Sequence, residues 1–270
     1  ALTIGAANLT AFVGLNGGTE EALGLAIGEV DFGLGLFADR AKSENTYTTL
    51  KASAGSASFT GIDGITIGAD TLSVEVNIAA GDGSLVDYGS DPFEVLAGVT
   101  DTITFDMLAS DGELIRASGN LKLMLYNFFT VSGGFSFAKS TQRVTLDDGT
   151  SLDVDALTVG AVNVDAFVGL NGGQSNALGL SLTDAGFALA LLGDPDNPAR
   201  SWVALQANAG GAAFVGVDGI TLATDSLSVE INQAAEDGSL VDFYTSEMDV
   251  STGPDDAVTL SMDGQRGEML

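Results

Sequence analysis

The octapeptide Ala11-Phe-Val-Gly-Leu-Asn-Gly-Gly18 occurs twice in this chain, because residues 166–173 repeat it without a change. Its aromatic and β-branched residues favour an extended strand. The Asn-Gly pair that follows them is the dipeptide that tight hairpin turns prefer. The block therefore predicts a strand that runs into a tight turn, at two places in the chain.

The similarity extends in both directions from this block. Residues 1–115 align with residues 156–270 without a gap, and 54 of the 115 aligned pairs are identical. A gapless alignment means that loops as well as strands keep their length, which suits units that stack in one register. The sequence thus predicts a tandem repeat with a period of 155 residues, its first unit at 1–155 and a truncated second unit at 156–270.

The second copy stops at Leu270, at a point where the first copy continues to Thr150 before the next unit opens. We therefore expect the chain to be a piece of a longer array. Residues 1–10 lack a basic region and a cleavage site, so we expect any export signal to lie outside this piece.

Apolar residues alternate with other residues in several segments, among them 32–36 and 72–76. Side chains two positions apart lie on one face of a strand, so these segments predict strands with one apolar face. Glycines such as Gly33 separate the apolar residues of the first segment, and polar residues such as Glu75 separate those of the second. We expect the glycine face to admit a close-packed second layer and the polar face to be solvated.

Turn signals punctuate these segments, and the chain has 36 glycines and only four prolines. Residues 143–152 predict a hairpin, with Asp148-Gly149 at its turn. The fold class expected is all-β, an elongated tandem-repeat sheet array that is sandwich-like or solenoid-like. At ordinary strand lengths each unit would contain roughly a dozen strands or more. Further Asn-Gly and Asp-Gly pairs begin at Asn16, Asp63, Asp82 and Asp111.

The charge balance is strongly acidic, with nine Lys and Arg residues against 37 Asp and Glu residues and a formal charge of -28. Such a field repels nucleic acid and anionic membrane surfaces, so neither is expected as a partner. The excess must be screened by salt, spread over an extended shape or neutralised by bound cations. No apolar run approaches the roughly 20 residues of a membrane-spanning helix, and we expect no transmembrane segment.

The chain has no Cys and no His, which excludes disulfides, zinc sites of the usual ligand sets, thiol nucleophiles and imidazole acid-base chemistry. Paired carboxylates could in principle hydrolyse glycosidic bonds. Because the carboxylates are spread evenly over both copies, they indicate a repeated surface and not a single catalytic site. We therefore expect a protein that is not an enzyme.

Acidic residues that recur at the period beside glycine turns are the candidate cation ligands. Ca²⁺ binds six to eight oxygen atoms, which carboxylates and turn carbonyls can supply. The alternative is that each Asp-Gly pair forms its turn without a metal, so no cofactor is expected to be required and Ca²⁺ is the candidate. The candidate metal ligands are Asp63, Asp82, Asp87, Asp218, Asp237 and Asp242.

A glycan-binding surface is the other alternative, because Tyr47 and its counterpart Trp202 could stack on a sugar ring. Core packing also explains large residues at equivalent positions of a repeat. Both interpretations stay open at this point.

Four blocks resemble the long repeats of very large secreted and surface proteins of aquatic bacteria. They are the octapeptide at 11–18, Gly61-Ile-Asp-Gly-Ile-Thr66, Leu72-Ser-Val-Glu-Val-Asn77 and Ser132-Gly-Gly-Phe-Ser-Phe137. The resemblance covers the whole chain and is one of style. The chain departs from calcium-binding nonapeptide arrays, because it lacks their glycine-rich core motif. It implies a bacterial surface protein or extracellular fibre.

The function expected is an extracellular or cell-surface structural repeat that builds a filament, sheath or surface layer by stacking of its β-rich units. Its partner would be itself, through end-to-end or lateral assembly. The alternative is a calcium-dependent bacterial adhesin whose repeats bind a surface glycan or a cell.

Overall fold

The computed structural model describes residues 1–217 and 222–269. The predicted all-β class is confirmed, because two short 3₁₀ turns, Ala109–Asp111 and Gly264–Arg266, are the only helical segments of this part. Within it, no helix has the length and apolarity needed to cross a membrane. The strands in chain order are β1 (Leu2–Leu15), β2 (Leu23–Ala38), β3 (Thr46–Thr60), β4 (Ile65–Ile78), β5 (Phe93–Leu96), β6 (Thr102–Phe105), β7 (Leu114–Leu125), β8 (Phe129–Thr145), β9 (Ser151–Leu170), β10 (Leu178–Gly193), β11 (Ser201–Val215), β12 (Leu222–Thr224), β13 (Leu227–Gln233), β14 (Met248–Ser251) and β15 (Ala257–Leu260).

Eleven of these strands form one antiparallel sheet. Its order is β1-β2-β3-β4-β7-β8-β9-β10-β11-β12, and β13 also pairs with β11. The main strands are mostly 14 to 20 residues long, well above the usual five or six. The prediction of roughly a dozen strands per unit is therefore wrong, because each strand consumes more of the chain. The two halves of the chain share this sheet instead of forming two stacked sheets.

Strands in the two halves of the chain have matching bounds. β10, β11, β14 and β15 begin and end 155 positions after β2, β3, β5 and β6. β9 runs from Ser151 to Leu170 and so includes the predicted boundary between units. The predicted hairpin at 143–152 is confirmed, because β8 and β9 pair up to Thr145 and Ser151.

Five strands contain a residue with a left-handed backbone conformation near their middle, and the strand registers shift beside them. An inserted residue of this kind is a β-bulge, which exchanges the faces taken by odd and even positions beyond it. The bulges lie in β1, β2, β4, β9 and β10, at Asn8, Glu29, Thr71, Asn163 and Asp184.

The bulges keep the apolar side chains on a single face. In β4, Val74 pairs with Ala117 of β7, and Ile67 on the other side of the bulge at Thr71 pairs with Leu123 of β7. β7 pairs with β8 without a register shift, so Ala117 and Leu123 lie on one face of a regular strand. An odd position of β4 before the bulge and an even one after it therefore share that face.

The opposite face carries small and polar residues and is covered in part by two small hairpins. Gly33 and Glu75 both lie on it, since each pairs with Lys51 of β3. Glu75 is largely shielded and forms ion pairs with Lys51 at 3.7 Å and Arg116 at 3.1 Å. The prediction that the polar face is solvated is therefore wrong here, because the ion pairs allow the charges to lie beneath a covering layer.

The first covering layer is the β5–β6 hairpin with its flanking loops. It approaches the sheet at glycines, since a side chain at Gly33 would meet Ile103 and one at Gly35 would meet Phe105. Edge-to-face aromatic contacts hold it, with ring centroids 5.5 Å apart between Tyr88 and Phe105. The buried residues of this cluster are Tyr88, Val95, Phe105, Met107 and Leu114.

The second covering layer is the β14–β15 hairpin with its flanking loops, and its core is larger. Ala188 and Ala190 of the sheet, at the positions equivalent to Gly33 and Gly35, are fully buried beneath it. The β8–β9 hairpin adds apolar residues that the first layer lacks, namely Val144, Leu146 and Val154. This layer therefore buries more apolar residues than the first covering layer does.

We predict that Gly160→Ala lowers the free energy of unfolding by about 1–3 kcal/mol, as overpacking does in a close-packed core. A Cβ atom at Gly160 would collide with the main-chain carbonyl of Ser251 in the covering hairpin. The matched control is Gly193→Ala in β10, where a Cβ meets no atom within 4 Å. Urea denaturation of both variants checks this, and equal losses would show that the close approach is unimportant.

Candidate functional site

Four of the six candidate cation ligands lie in the loops that follow β4 and β13, and two of these four build identical turns. Asp82 Oδ1 accepts hydrogen bonds from the main-chain N–H of Ser84 at 3.1 Å and from its hydroxyl at 2.6 Å. Asp237 Oδ1 accepts the same two bonds from Ser239 at 3.0 Å and 2.6 Å. Each carboxylate therefore closes its own loop.

The second oxygen of each carboxylate also has a protein donor. The side-chain amide of Asn45 donates to Asp82 Oδ2 at 2.6 Å, and the guanidinium of Arg200 lies 2.8 Å from Asp237 Oδ2. Hydrogen bonds from Ser84 and then from Asn45 hold the pKa of Asp82 well below its usual range. Those from Ser239 lower the pKa of Asp237 in the same way. Both groups are ionised acceptors at neutral pH.

Asp87 and Asp242 form a second matching pair. Asp87 Oδ1 accepts the main-chain N–H of Ala109 at 3.1 Å, and Asp242 Oδ1 accepts that of Gly264 at 3.0 Å. The bond from Ala109 is the main cause that lowers the pKa of Asp87. Burial raises the pKa of Asp242, but hydrogen bonds from Thr245 and Gly264 outweigh it and the net shift is downward. These carboxylates tie each 3₁₀ turn to the preceding loop.

The remaining two candidates are not brought to these loops. Asp63 is exposed in the turn between β3 and β4, beside Gly64 with φ of 77°. Asp218 lies outside the described residues. Over 1–217 and 222–269, no three acidic residues come together in a group that could hold a metal ion. Binding of Ca²⁺ by these residues therefore stays a prediction, and the role that the geometry gives to four of them is to order loops.

The two aromatic residues proposed for glycan stacking have different environments. Trp202 is 1% exposed. Its indole N–H donates to the carbonyl of Ser239 at 3.0 Å, and Arg200 lies over its ring at 5.3 Å from the centroid. Tyr47 is half-buried, with its hydroxyl 3.0 Å from Ser84 Oγ. Core packing is thus the explanation that fits Trp202.

Sequence reasoning missed a junction between the β8–β9 hairpin and the loop that carries Asp242. Asp147 N–H donates to Leu240 O at 2.9 Å, and Leu240 N–H donates back to Asp147 Oδ1 at 3.0 Å. Asp242 N–H donates to Thr145 O at 2.8 Å, and the side chain of Gln265 donates to Asp147 O. The only sequence signal was the conspicuous hairpin itself, since nothing in a strand pattern indicates where a hairpin tip docks.

The junction decides how deeply equivalent residues are buried. Leu240 and Val241 are 2% and 0% exposed beneath the hairpin. Their counterparts Leu85 and Val86 are half-buried, and Asp87 is exposed, because no hairpin covers that loop in the described part of the chain. One sequence motif therefore has two environments, and the β8–β9 hairpin is the difference between them.

Comparison with protein-family models, with curated proteins and with solved structures finds no match to this chain. Its functional assignment therefore depends on its own geometry.

We predict that Asp242→Ala lowers the free energy of unfolding at pH 7 by about 1–3 kcal/mol, because the buried N–H of Gly264 loses a charged acceptor. Asp87→Ala is the matched variant. It removes the equivalent bonds at an exposed site, where water replaces the carboxylate, so its loss should be smaller. Denaturant titration of both variants gives the comparison, and a larger loss for Asp87→Ala would contradict the role assigned to the junction.

The effect of Asp242→Ala should also depend on pH. The pKa of Asp242 is lower in the folded protein than the ordinary value of 3.8, so its stabilisation is complete above that value. It is lost as the pH falls through the folded-state pKa. The stability difference between the unaltered chain and Asp242→Ala should therefore shrink below about pH 4. Denaturation curves at pH 7 and pH 3 measure it, and a constant difference would show that ionisation is irrelevant.

Proposed function

We propose that this chain is a structural module of an extended β-sheet array, built from repeats of 155 residues, that forms a filament, sheath or surface layer outside the cell. The observation that carries the proposal is the pairing of β8 with β9. From Lys139 and Leu157 to Phe129 and Val168, β8 occupies one edge of β9. β1 corresponds in sequence to that part of β9 and, within the described residues, pairs only with β2.

The edge of β1 is therefore suited to a strand like β8. Leu2-Thr3 and Gly5-Ala6 of β1 match the residues at 157–158 and 160–161 of β9. An unpaired edge exposes main-chain N–H and C=O groups that a further strand can satisfy. A preceding repeat would supply that strand, and successive repeats would then continue one sheet without an internal edge.

The junction between hairpin and loop supports the same proposal. A β8–β9 hairpin supplied by a preceding repeat would cover Leu85 and Val86 as residues 143–152 cover Leu240 and Val241. Repeats would then be connected both by sheet hydrogen bonds and by a buried apolar contact. Stability in such arrays rises with the number of interfaces between neighbours.

The acidic composition is compatible with this shape. Spreading 37 acidic residues along an extended sheet keeps like charges farther apart than a compact body would. The absence of Cys and the charge favour an extracellular, saline setting as part of the proposal.

We predict that each added unit of 155 residues lengthens the particle by a fixed increment. The sheet advances by six strand positions from β1 to β9, and neighbouring strands are about 4.8 Å apart, which gives about 29 Å per unit. Small-angle scattering or electron microscopy of chains with one and two extra units measures the increment.

Inserting residues 1–155 in frame once or twice before residue 1 supplies the material for this experiment. A control chain in which a flexible Gly-Ser linker of about 20 residues separates the inserted unit should give a variable spacing. Compact particles, or an increment that varies from unit to unit, would contradict the continuous sheet.

A further inference from the structure

The face of the sheet opposite the two covering layers is apolar along its whole length. It carries most of the large hydrophobic side chains that the described residues expose to solvent. Its members include Leu2, Ile4, Leu9, Val13, Leu25, Leu36, Ile67, Ile115, Leu121, Phe137, Val168, Leu180, Leu191 and Val229. They occupy paired positions on neighbouring strands, so they form one surface, called here the open face.

Charge is nearly excluded from the open face. Outside the bulges, its ionisable residues are Lys139 of β8, Asp155 of β9, and the pair Arg143 and Asp153 near the β8–β9 hairpin, which form an ion pair at 3.0 Å. By contrast, the charged residues Lys51 of β3 and Glu75 of β4 lie on the opposite face, beneath the first covering layer. A chain with 37 acidic residues that keeps nearly all of them off one surface of this extent has a surface suited to apolar contact.

The exposed area is too large for a complete particle. The chain exposes 14877 Å², whereas a compact monomer of its mass is expected to expose about 10,900 Å². The surplus is therefore about 4,000 Å² for one chain, more than the roughly 1,000–2,500 Å² that each partner of a permanent homodimer buries. A sheet with one apolar face must bury that face against another layer.

We propose that the open face packs against the open face of a second copy of this chain, forming a two-layer β-sandwich with the covering hairpins on the outside. The face spans about ten strand spacings and 14 residues, or roughly 50 Å by 45 Å. Only a partner of similar extent and twist covers such a surface, and a second copy has both. Facing sheets lie about 10 Å apart with their side chains interdigitated, and the acidic loops of the two copies stay at the rim and on the outer sides.

This contact is separate from the edge of β1 that the proposed array uses. Edge pairing extends one sheet, whereas the open face joins two sheets. Failure of one contact therefore leaves the other intact, and the increment in length with added units tests only the edge.

The test is the association state of the whole chain, measured by sedimentation equilibrium between about 1 and 100 μM. The unaltered chain should have twice its mass of 27.3 kDa. Leu121→Asp places a charge near the centre of the open face and should weaken association at least 100-fold, about 2.7 kcal/mol. Val99→Asp is the matched control, because Val99 is fully exposed at the tip of the β5–β6 hairpin, and it should not change association.

Folding of each variant is checked with the fluorescence of Trp202, the only tryptophan, which is buried in the second covering layer. Lys139→Leu gives an independent measurement if Leu121→Asp does not fold. It removes a charge from the open face and should tighten association about tenfold, or 1.4 kcal/mol. A monomeric chain at 100 μM overturns the proposal, as does a dimer that Leu121→Asp and Lys139→Leu leave unchanged. Binding of a monomer to phosphatidylcholine vesicles would also overturn it, since lipid would then cover the face.

Discussion

Main-chain hydrogen bonding between β8 and β9 is the interaction on which the rest of the structure depends. β9 belongs to both halves of the chain, since β8 pairs on one side of it and β10 on the other. Its pairing with β8 continues to the hairpin tip, so the tip reaches the loops of the second covering layer. If β8 and β9 separated, the sheet would divide into two parts, and Leu240 and Val241 would become as accessible as Leu85 and Val86.

The distribution of side-chain size across the two faces explains why the sheet has its covering layers on one side only. Glycine and alanine at the equivalent positions 33 and 188 allow a hairpin to approach the backbone closely. Leucine, valine and phenylalanine on the other side prevent such an approach and favour contact with another bulky layer. The bulges are essential to this division, because without them the apolar residues of the five bulged strands would change to the opposite face halfway along.

The aspartates have a structural role that is visible in both halves of the chain. Asp82 and Asp237 close equivalent loops, and Asp87 and Asp242 fasten equivalent 3₁₀ turns. Their low pKa values have the same cause, which is donation by nearby N–H and O–H groups. Asp237 and Asp242 stabilise the loop against which the β8–β9 hairpin packs. Asp82 and Asp87 stabilise the equivalent loop, which the hairpin of a preceding repeat would cover in the proposed array.

The amino-acid sequence by itself determined the all-β class, the hairpin at 143–152 and the matching of residues 155 positions apart, because alternation, turn dipeptides and repeated blocks are local signals. It did not determine the strand lengths, since a bulge such as that at Thr71 interrupts the alternation without ending the strand. It also predicted wrongly that the strand face carrying Glu75 is solvated. Gly33 and Glu75 lie on the same covered face, and only the pairing of both residues with Lys51 shows this. Tertiary structure alone decided that Asp147 meets Leu240 and that Trp202 is buried, since these contacts join residues that no local pattern relates. The physical reason is that hydrogen-bond register and layer packing are set between distant segments, whereas strand and turn preferences are set within a few residues.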